Sequence, residues 1–278
     1  MSWTTEKTTE AVSKEKLEVA EGIDFGKEQE EWNKQYAKTF LKKQESSSRL
    51  VLGIWGIEKT GKTGLAIDFP ERPIYVLDWD RGVESTWREH HDATDRIKIY
   101  CPIEKNKKNV TDINISEKNS LMFVNMVRQQ IQTGQKPIFV FDGVDTWLES
   151  CLLKVNPDPT KVTKIMPWQY GERNKTFAFL MEAVYSLECD VIYITHETDS
   201  YINDVATGKI PAWKNWGGKL EQEIRTWRTI KKGEVKFHAQ LIASRTNGSL
   251  VGKTWITRDG KAPDVVWHGI PELREGNV

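Results

Sequence analysis

The sequence has 278 residues, 40 Lys and Arg against 40 Asp and Glu, and a composition that is 38% hydrophobic and 29% charged. The balance of charge excludes a uniformly basic histone-like binder and an acidic disordered tail protein, and the length suffices for one large domain or two small ones around a buried core. Cys101, Cys151 and Cys189 stand far apart with no CxxC pair, which excludes a disulfide framework and a Cys-type zinc site and points to packed thiols in a reducing compartment. The amino terminus lacks the basic start and apolar stretch of a signal peptide, and no apolar run approaches the roughly 18 residues of a membrane span, so the expectation is an intracellular protein with no membrane contact. The one unusual count is 12 Trp, a side chain suited to stacking and anchoring.

Residues 1–48 form a charged lead segment, eight Lys against nine Glu and one Asp, read as partly helical or disordered. Trp32, Tyr36, Phe40 and Leu41 recur at helical spacing, which predicts a helix over 27–43 whose stripe docks on the main domain or on another subunit. Ser46, Ser47 and Ser48 read as a linker. From Arg49 onward, short apolar runs at 50–56, 73–78, 96–100, 137–142 and 190–195 read as buried strands. Helical periodicity occupies 62–68, 83–90, 121–132, 144–154 and 172–188, and this alternation predicts an α/β fold with a mainly parallel central sheet flanked by helices. Residues 105–119, with KNKK and several Asn, read as an exposed loop. Further strands over 224–231, 235–244 and 254–257 are expected to extend the same sheet, so that 49–278 is a single domain.

The most specific feature is Gly56-Ile57-Glu58-Lys59-Thr60-Gly61-Lys62-Thr63, a full GxxxxGK[ST] pattern between an apolar strand and a helix. Gly56 and Gly61 permit a bend that aims successive N–H groups inward as an anion nest, and the phosphate-binding stretch runs through Gly64. Lys62 would contact the β- and γ-phosphates of ATP, and the Thr63 hydroxyl would ligate Mg²⁺. The run PIFVFD ends in Asp142, the expected second Mg²⁺ residue, while Asp145 suits a cap on the following helix. The run PIYVLD leads into Asp78-Trp79-Asp80-Arg81, and Asp80 is either the base that activates water or a turn acid paired with Arg81. The run DVIYIT ends in Thr195-His196, where His196 suits a sensor of the γ-phosphate and Thr195 suits a helix cap.

These runs, GIEKTGKTGLAIDFP, PIYVLDWDRG, PIFVFDGVDTW, MPWQYGERNKTFAFLMEAV and DVIYITHETD, resemble the RecA-like P-loop ATPases in their order over residues 49–200. They are most similar to the compact versions in phages and archaeal viruses linked to single-strand annealing and recombination; beyond residue 200 the match is loose, through ASRTNGSLVG. The resemblance implies phosphate binding by Gly56, Gly61, Lys62 and Thr63, Mg²⁺ held by Thr63 and Asp142, a catalytic carboxylate at Asp80 and a sensor at His196. It implies an ATPase that handles single-stranded DNA in viral replication or recombination, in the (host) cytoplasm, with single-strand-binding or replication proteins as further partners. It also implies homo-oligomeric rings or filaments with nucleotide between subunits and a basic finger across the boundary, for which Arg245 and Lys253 are the candidates. Where the family usually has Glu, this chain has Asp80, one methylene shorter, which leaves room for a nucleotide-gated scaffold with little turnover; a packaging or helicase-type motor is the other alternative.

Between Lys209 and Lys261 there are twelve Lys or Arg against four acids, interleaved with Trp213, Trp216, Trp227, Phe237 and Trp255. Cations that follow a phosphate backbone, mixed with aromatic faces, suit a single-strand groove. Trp227 and Phe237, being in strands, read equally as core, and PAWKNWGGKL reads as a mobile loop.

Overall fold

The computed structural model describes residues 27, 30, 31, 33–35, 49–68, 72–90, 95–158, 165–202, 205–213, 215–231, 233–261, 264–270 and 272. The chain divides into two units, Met1–Ser47 and Ser48–Val278. In the first, the described residues are helical and exposed; Trp32, Tyr36, Phe40 and Leu41, which carry the predicted amphipathic stripe, lie outside the described residues.

The second unit is built on a sheet. In chain order its elements are β1 (Val51–Gly56), α1 (Lys62–Ile67), β2 (Ile74–Asp78), α2 (Val83–His90), β3 (Ile97–Tyr100), α3 (Ile113–Gln132), β4 (Ile138–Asp142), α4 (Val144–Ser150), α5 (Pro167–Tyr185), β5 (Asp190–Ile202), β6 (Val205–Pro211), β7 (Gln222–Lys231), β8 (Glu234–Ser244), β9 (Thr254–Lys261) and β10 (Asp264–Trp267). The sheet order is β10-β9-β8-β7-β1-β5-β4-β2-β3, with β6 paired to the outer part of β5. Strands β7, β1, β5, β4, β2 and β3 pair in parallel, and β8, β9 and β10 continue the sheet antiparallel. This is the α/β architecture expected, a mainly parallel sheet flanked by helices and extended by late strands.

The short apolar runs form strands because both their faces are covered. Alternate residues feed two cores: Trp55, Tyr75, Leu77, Phe139, Phe141, Val191 and Tyr193 pack with α3, α4 and α5 on one face. Leu52, Ile54, Ile74, Val76, Val140, Ile192 and Ile194 pack with α1 and the start of α2 on the other. Burial of both faces is why these strands read as continuous apolar runs rather than as alternating ones.

Several boundaries differ from the sequence reading for local reasons. α3 begins at Ile113 rather than near 121, because the Asp112 carboxylate accepts the Ile115 N–H and caps it. α5 begins at Pro167, ahead of the expected 172, with Pro at its first turn and the Gln169 side chain accepting the Met166 N–H. β5 runs on past Thr195 to Ile202 and turns back as β6, a hairpin without apolar alternation to announce it.

The described residues of PAWKNWGGKL connect β6 to β7 as a loop with one 3-10 turn at Gly217–Lys219, but its tryptophans are not offered to solvent. Trp213 and Trp216 are buried, and Trp216 meets Phe177, Tyr185 and Tyr193 edge-on at ring centroid distances of 6.4, 6.0 and 6.0 Å. These two tryptophans close the core beside α5, so they are withdrawn from any polymer-stacking surface. Cys151 and Cys189 are buried, with burial pushing both thiols up, whereas Cys101, also expected to be packed, is exposed.

Candidate functional site

The parallel register brings the chemistry to one edge of the sheet. Gly56 at the end of β1 is level with His196 on β5, Ile194 with Asp142 on β4, and Asp142 with Asp78 on β2. The loop after β1 and the ends of β5, β4 and β2 therefore open onto the same space, as expected at the carboxyl edge of such a sheet. A cavity of about 830 Å³ lies there, and its wall includes Glu58, Lys59, Thr60, Gly61, Lys62, Thr63, Gly64, Asp80, Asp142 and His196.

Gly56 and Ile57 are not on that wall. Their carbonyls instead accept from Lys62 Nζ, at 3.1 and 2.7 Å, and hold the ammonium within the loop. Thr60 Oγ1 donates to the Ile57 carbonyl at 2.9 Å and pairs with Thr226 Oγ1 of β7 at 2.8 Å, tying the loop to the neighbouring strand. Gly61 has φ 82, and a methyl there would run into the Phe237 ring on β8, so glycine is required twice over. Burial lowers Lys62, opposed by the pull of Asp142, Asp145 and Asp80.

Thr63 Oγ1 donates to Asp142 Oδ2 at 2.7 Å. Burial, joined by the charges of Asp80 and Asp78, pushes the Asp142 carboxyl up to about 7 despite the Thr63 hydrogen bond. A buried carboxylate beside two others and a hydroxyl is an all-oxygen donor set short of positive charge. That chemistry fits a hard divalent cation such as Mg²⁺, with Thr63 and Asp142 as the residues to hold it.

Asp80 lies on the cavity wall, and Thr146 Oγ1 of α4 donates to its Oδ1. The approach needs Gly143, at φ 89, because a Cβ there would collide with the Asp80 carboxylate and backbone. Burial raises Asp80, against the Thr146 hydrogen bond. Arg81 does not pair with it; its guanidinium donates to the Ile103 carbonyl at 3.3 Å. Asp78 is occupied elsewhere, accepting the N–H groups of Gly82 and Val83 at 3.3 and 3.2 Å and so fixing the turn into α2. Between these acids Trp79 inserts into the core against Trp147, with ring centroids 4.9 Å apart, and anchors the loop from below.

Asp145 is not the helix cap expected of it. It accepts from Thr195 Oγ1 at 3.0 Å, from the His196 N–H at 3.2 Å and pairs with His196 Nδ1 at 2.8 Å. Thr195, by the same contact, braces Asp145 rather than capping a helix. The Asp145 hydrogen bond holds His196 above the usual imidazole range, outweighing burial and Lys62. Burial works to raise Asp145, but His196 and Thr195 overcome it and hold it below the usual carboxylate range. The spacing of Asp142 and Asp145 on one turn was visible in the sequence; the partner across the sheet was not.

A family model described as an AAA domain matches residues 48–230. The chain belongs to the AAA-domain family. No curated protein matches this AAA-family chain. Among solved structures, it is similar to a KaiC-like protein of the hyperthermophilic archaeon Pyrococcus horikoshii, at 12% identity over 78% of this chain and 88% of that one, with a TM-score of 0.43. It is similar in the same degree to the RadB recombinase, at 14% identity over 77% and 89% of the two chains, also with a TM-score of 0.43.

The cavity of this AAA-family domain has a wall the motifs did not reveal. Arg228, Val235, Phe237 and Arg258 from β7, β8 and β9 line it together with the loop. In the sequence Arg228 and Arg258 counted only among the cations of the late segment, Phe237 as an aromatic that read equally as core, and Val235 as the start of a strand. The proposed finger residues lie apart from this cavity: Arg245 donates to the Gly218 carbonyl beside the start of β1, and Lys253 pairs with Glu272 at 3.1 Å. Lys209, Lys219, Arg225 and Lys236 are likewise paired, with Asp199, Glu182, Glu197 and Glu234. Three of those four acids, and Glu272, come from outside the late segment, so part of the excess of cations counted along the sequence is neutralised in space.

Proposed function

We propose that this P-loop protein binds Mg²⁺·ATP and hydrolyses it, and that it uses the cycle to handle single-stranded DNA in viral replication or recombination. The observation that carries the enzymatic reading is the Thr63–Asp142 hydrogen bond at 2.7 Å, with Lys62 on one side and Asp80 and His196 facing the same cavity. When bound, Mg²⁺ would offset phosphate charge at Thr63 and Asp142. Lys62 leaves the loop carbonyls for the β- and γ-phosphates, supplying charge where negative charge grows. Asp80, oriented by Thr146, accepts the proton of the attacking water. His196, held by Asp145, donates a hydrogen bond toward the γ-phosphate and reports its loss.

The polymer part of the reading rests on fewer side chains than the sequence offered. Trp227 stacks on His238 at 5.3 Å with 13° between planes, and beyond it Ile230 and Lys231 are exposed at the β7–β8 tip. An aromatic pair with a flanking cation is the platform a single strand needs. Assembly into rings or filaments, with single-strand-binding or replication proteins alongside, belongs to the same proposal. The test is ATP turnover with and without single-stranded DNA at low salt. Stimulation by DNA, lost in Trp227→Ala with basal turnover kept, is the expected result; turnover indifferent to DNA contradicts the polymer reading. High ATP affinity with negligible turnover would favour the nucleotide-gated scaffold, the reading that the short Asp80 side chain supports.

A further inference from the structure

β1 carries the phosphate loop at the middle of the sheet, with β5, β4 and β2 on one side and β7, β8 and β9 on the other. The first side supplies Asp142, Asp80 and His196, an assembly suited to phosphate, cation and water. The second supplies a different chemistry. Arg228 on β7 is directly opposite Phe237 on β8, and Phe237 is opposite Arg258 on β9, so the three share one row on one face. The Arg258 guanidinium lies over the Phe237 ring, 4.9 Å from its centroid, and the ring edge abuts Gly61. Val235 continues the apolar surface, and all these residues are on the cavity wall.

We infer that this wall is the nucleobase subsite of the cavity: a purine base extends the stack that the Arg258 guanidinium and the Phe237 ring already form, while the triphosphate runs across Gly61 and Lys62 toward Asp142. The inference rests on the nucleotide reading above and extends it to the other end of the ligand. Planar aromatic and guanidinium surfaces are what a base stacks on. A triphosphate alone leaves this wall without a function, and a cavity of about 830 Å³ has room for the whole nucleotide. The late antiparallel strands thereby become part of the nucleotide site instead of an appendage to it.

Calorimetric binding of ATP and of inorganic tripolyphosphate, each with Mg²⁺, tests this in the full chain. Wild-type protein should bind ATP more tightly than tripolyphosphate. Phe237→Ala should weaken ATP by about tenfold or more and leave tripolyphosphate unchanged. Phe237→Leu keeps an apolar side chain against Gly61 and should show the same split, which guards against a variant that merely fails to fold. Equal weakening of both ligands would make Phe237 a prop for the loop and overturn the inference, as would wild-type protein that binds the two ligands equally. Failure of the nucleotide reading itself looks different: tripolyphosphate binding that is absent, or unaffected by Lys62→Ala.

Discussion

Lys62 stands among Asp142, Asp145 and Asp80, and two of these three acids are raised by burial and by one another. The cluster is therefore built to receive positive charge. Its pH dependence has a definite sign. Asp142 is raised from 3.8 to about 7, so its contribution to stability falls as pH climbs through that interval. His196, facing Asp145, Asp80 and Lys62, is raised above 6.5, so its contribution is complete below that value and is lost as pH rises through the folded-state pKa. Asp145 is lowered from 3.8 and acts in the other sense, contributing above that value and losing its effect only in strong acid. Without divalent cation, thermal stability should drop between pH 6 and pH 8. Mg²⁺ should restore more stability at pH 8 than at pH 6, because it binds the ionised Asp142. A scan in which Mg²⁺ stabilises equally at both values would contradict the assignment of Asp142.

At the level of elements, the parallel core was legible because each strand is a short apolar run closed by a polar residue, and the phosphate loop sits directly after the first. Asp80, Asp142 and His196 were legible for the same reason: each follows the end of such a run, and parallel register puts those ends together. Asp145 was misread as a cap since nothing local to α4 shows the Thr195–His196 pair opposite it. Trp213 and Trp216 were misread because Pro, Lys and Gly around them signal a loop, and only the fold shows that their rings fill the core beside α5. Phe237 and the two arginines were missed because antiparallel register across three strands cannot be read from spacing when one bulge interrupts β8 at Ile242 and another interrupts β9 at Thr257, beside Arg258. The Trp79–Trp147 contact ties β2 to α4, beneath Asp80 and Thr146. Trp147→Ala should cost about 3–5 kcal/mol in chemical denaturation. Because the cavity it leaves loosens the Asp80 loop, turnover per folded molecule should fall as well; unchanged turnover would show that the tryptophan pair only stabilises.

Across the whole molecule, zero net charge conceals a division of labour by position. Acids gather at the carboxyl ends of the parallel strands, cations at the loop and on β7 and β9, and five further cations of the late segment, Lys209, Lys219, Arg225, Lys236 and Lys253, are matched to acids. Among the described residues no helix is long and apolar enough to cross a membrane. Of the tryptophans, Trp55, Trp79, Trp147, Trp213 and Trp216 are buried, Trp168 on α5 is exposed, and Trp227, stacked on His238, is the one proposed to meet a polymer. The central claim is that one cavity, at the carboxyl edge of the sheet, hydrolyses ATP. Steady-state release of phosphate from ATP with Mg²⁺, compared between wild-type protein and Lys62→Ala, tests it most directly. The account predicts turnover in the wild type and a loss of about 100-fold or more in the variant; turnover that survives Lys62→Ala, or that is absent from folded wild-type protein under all conditions, would contradict it.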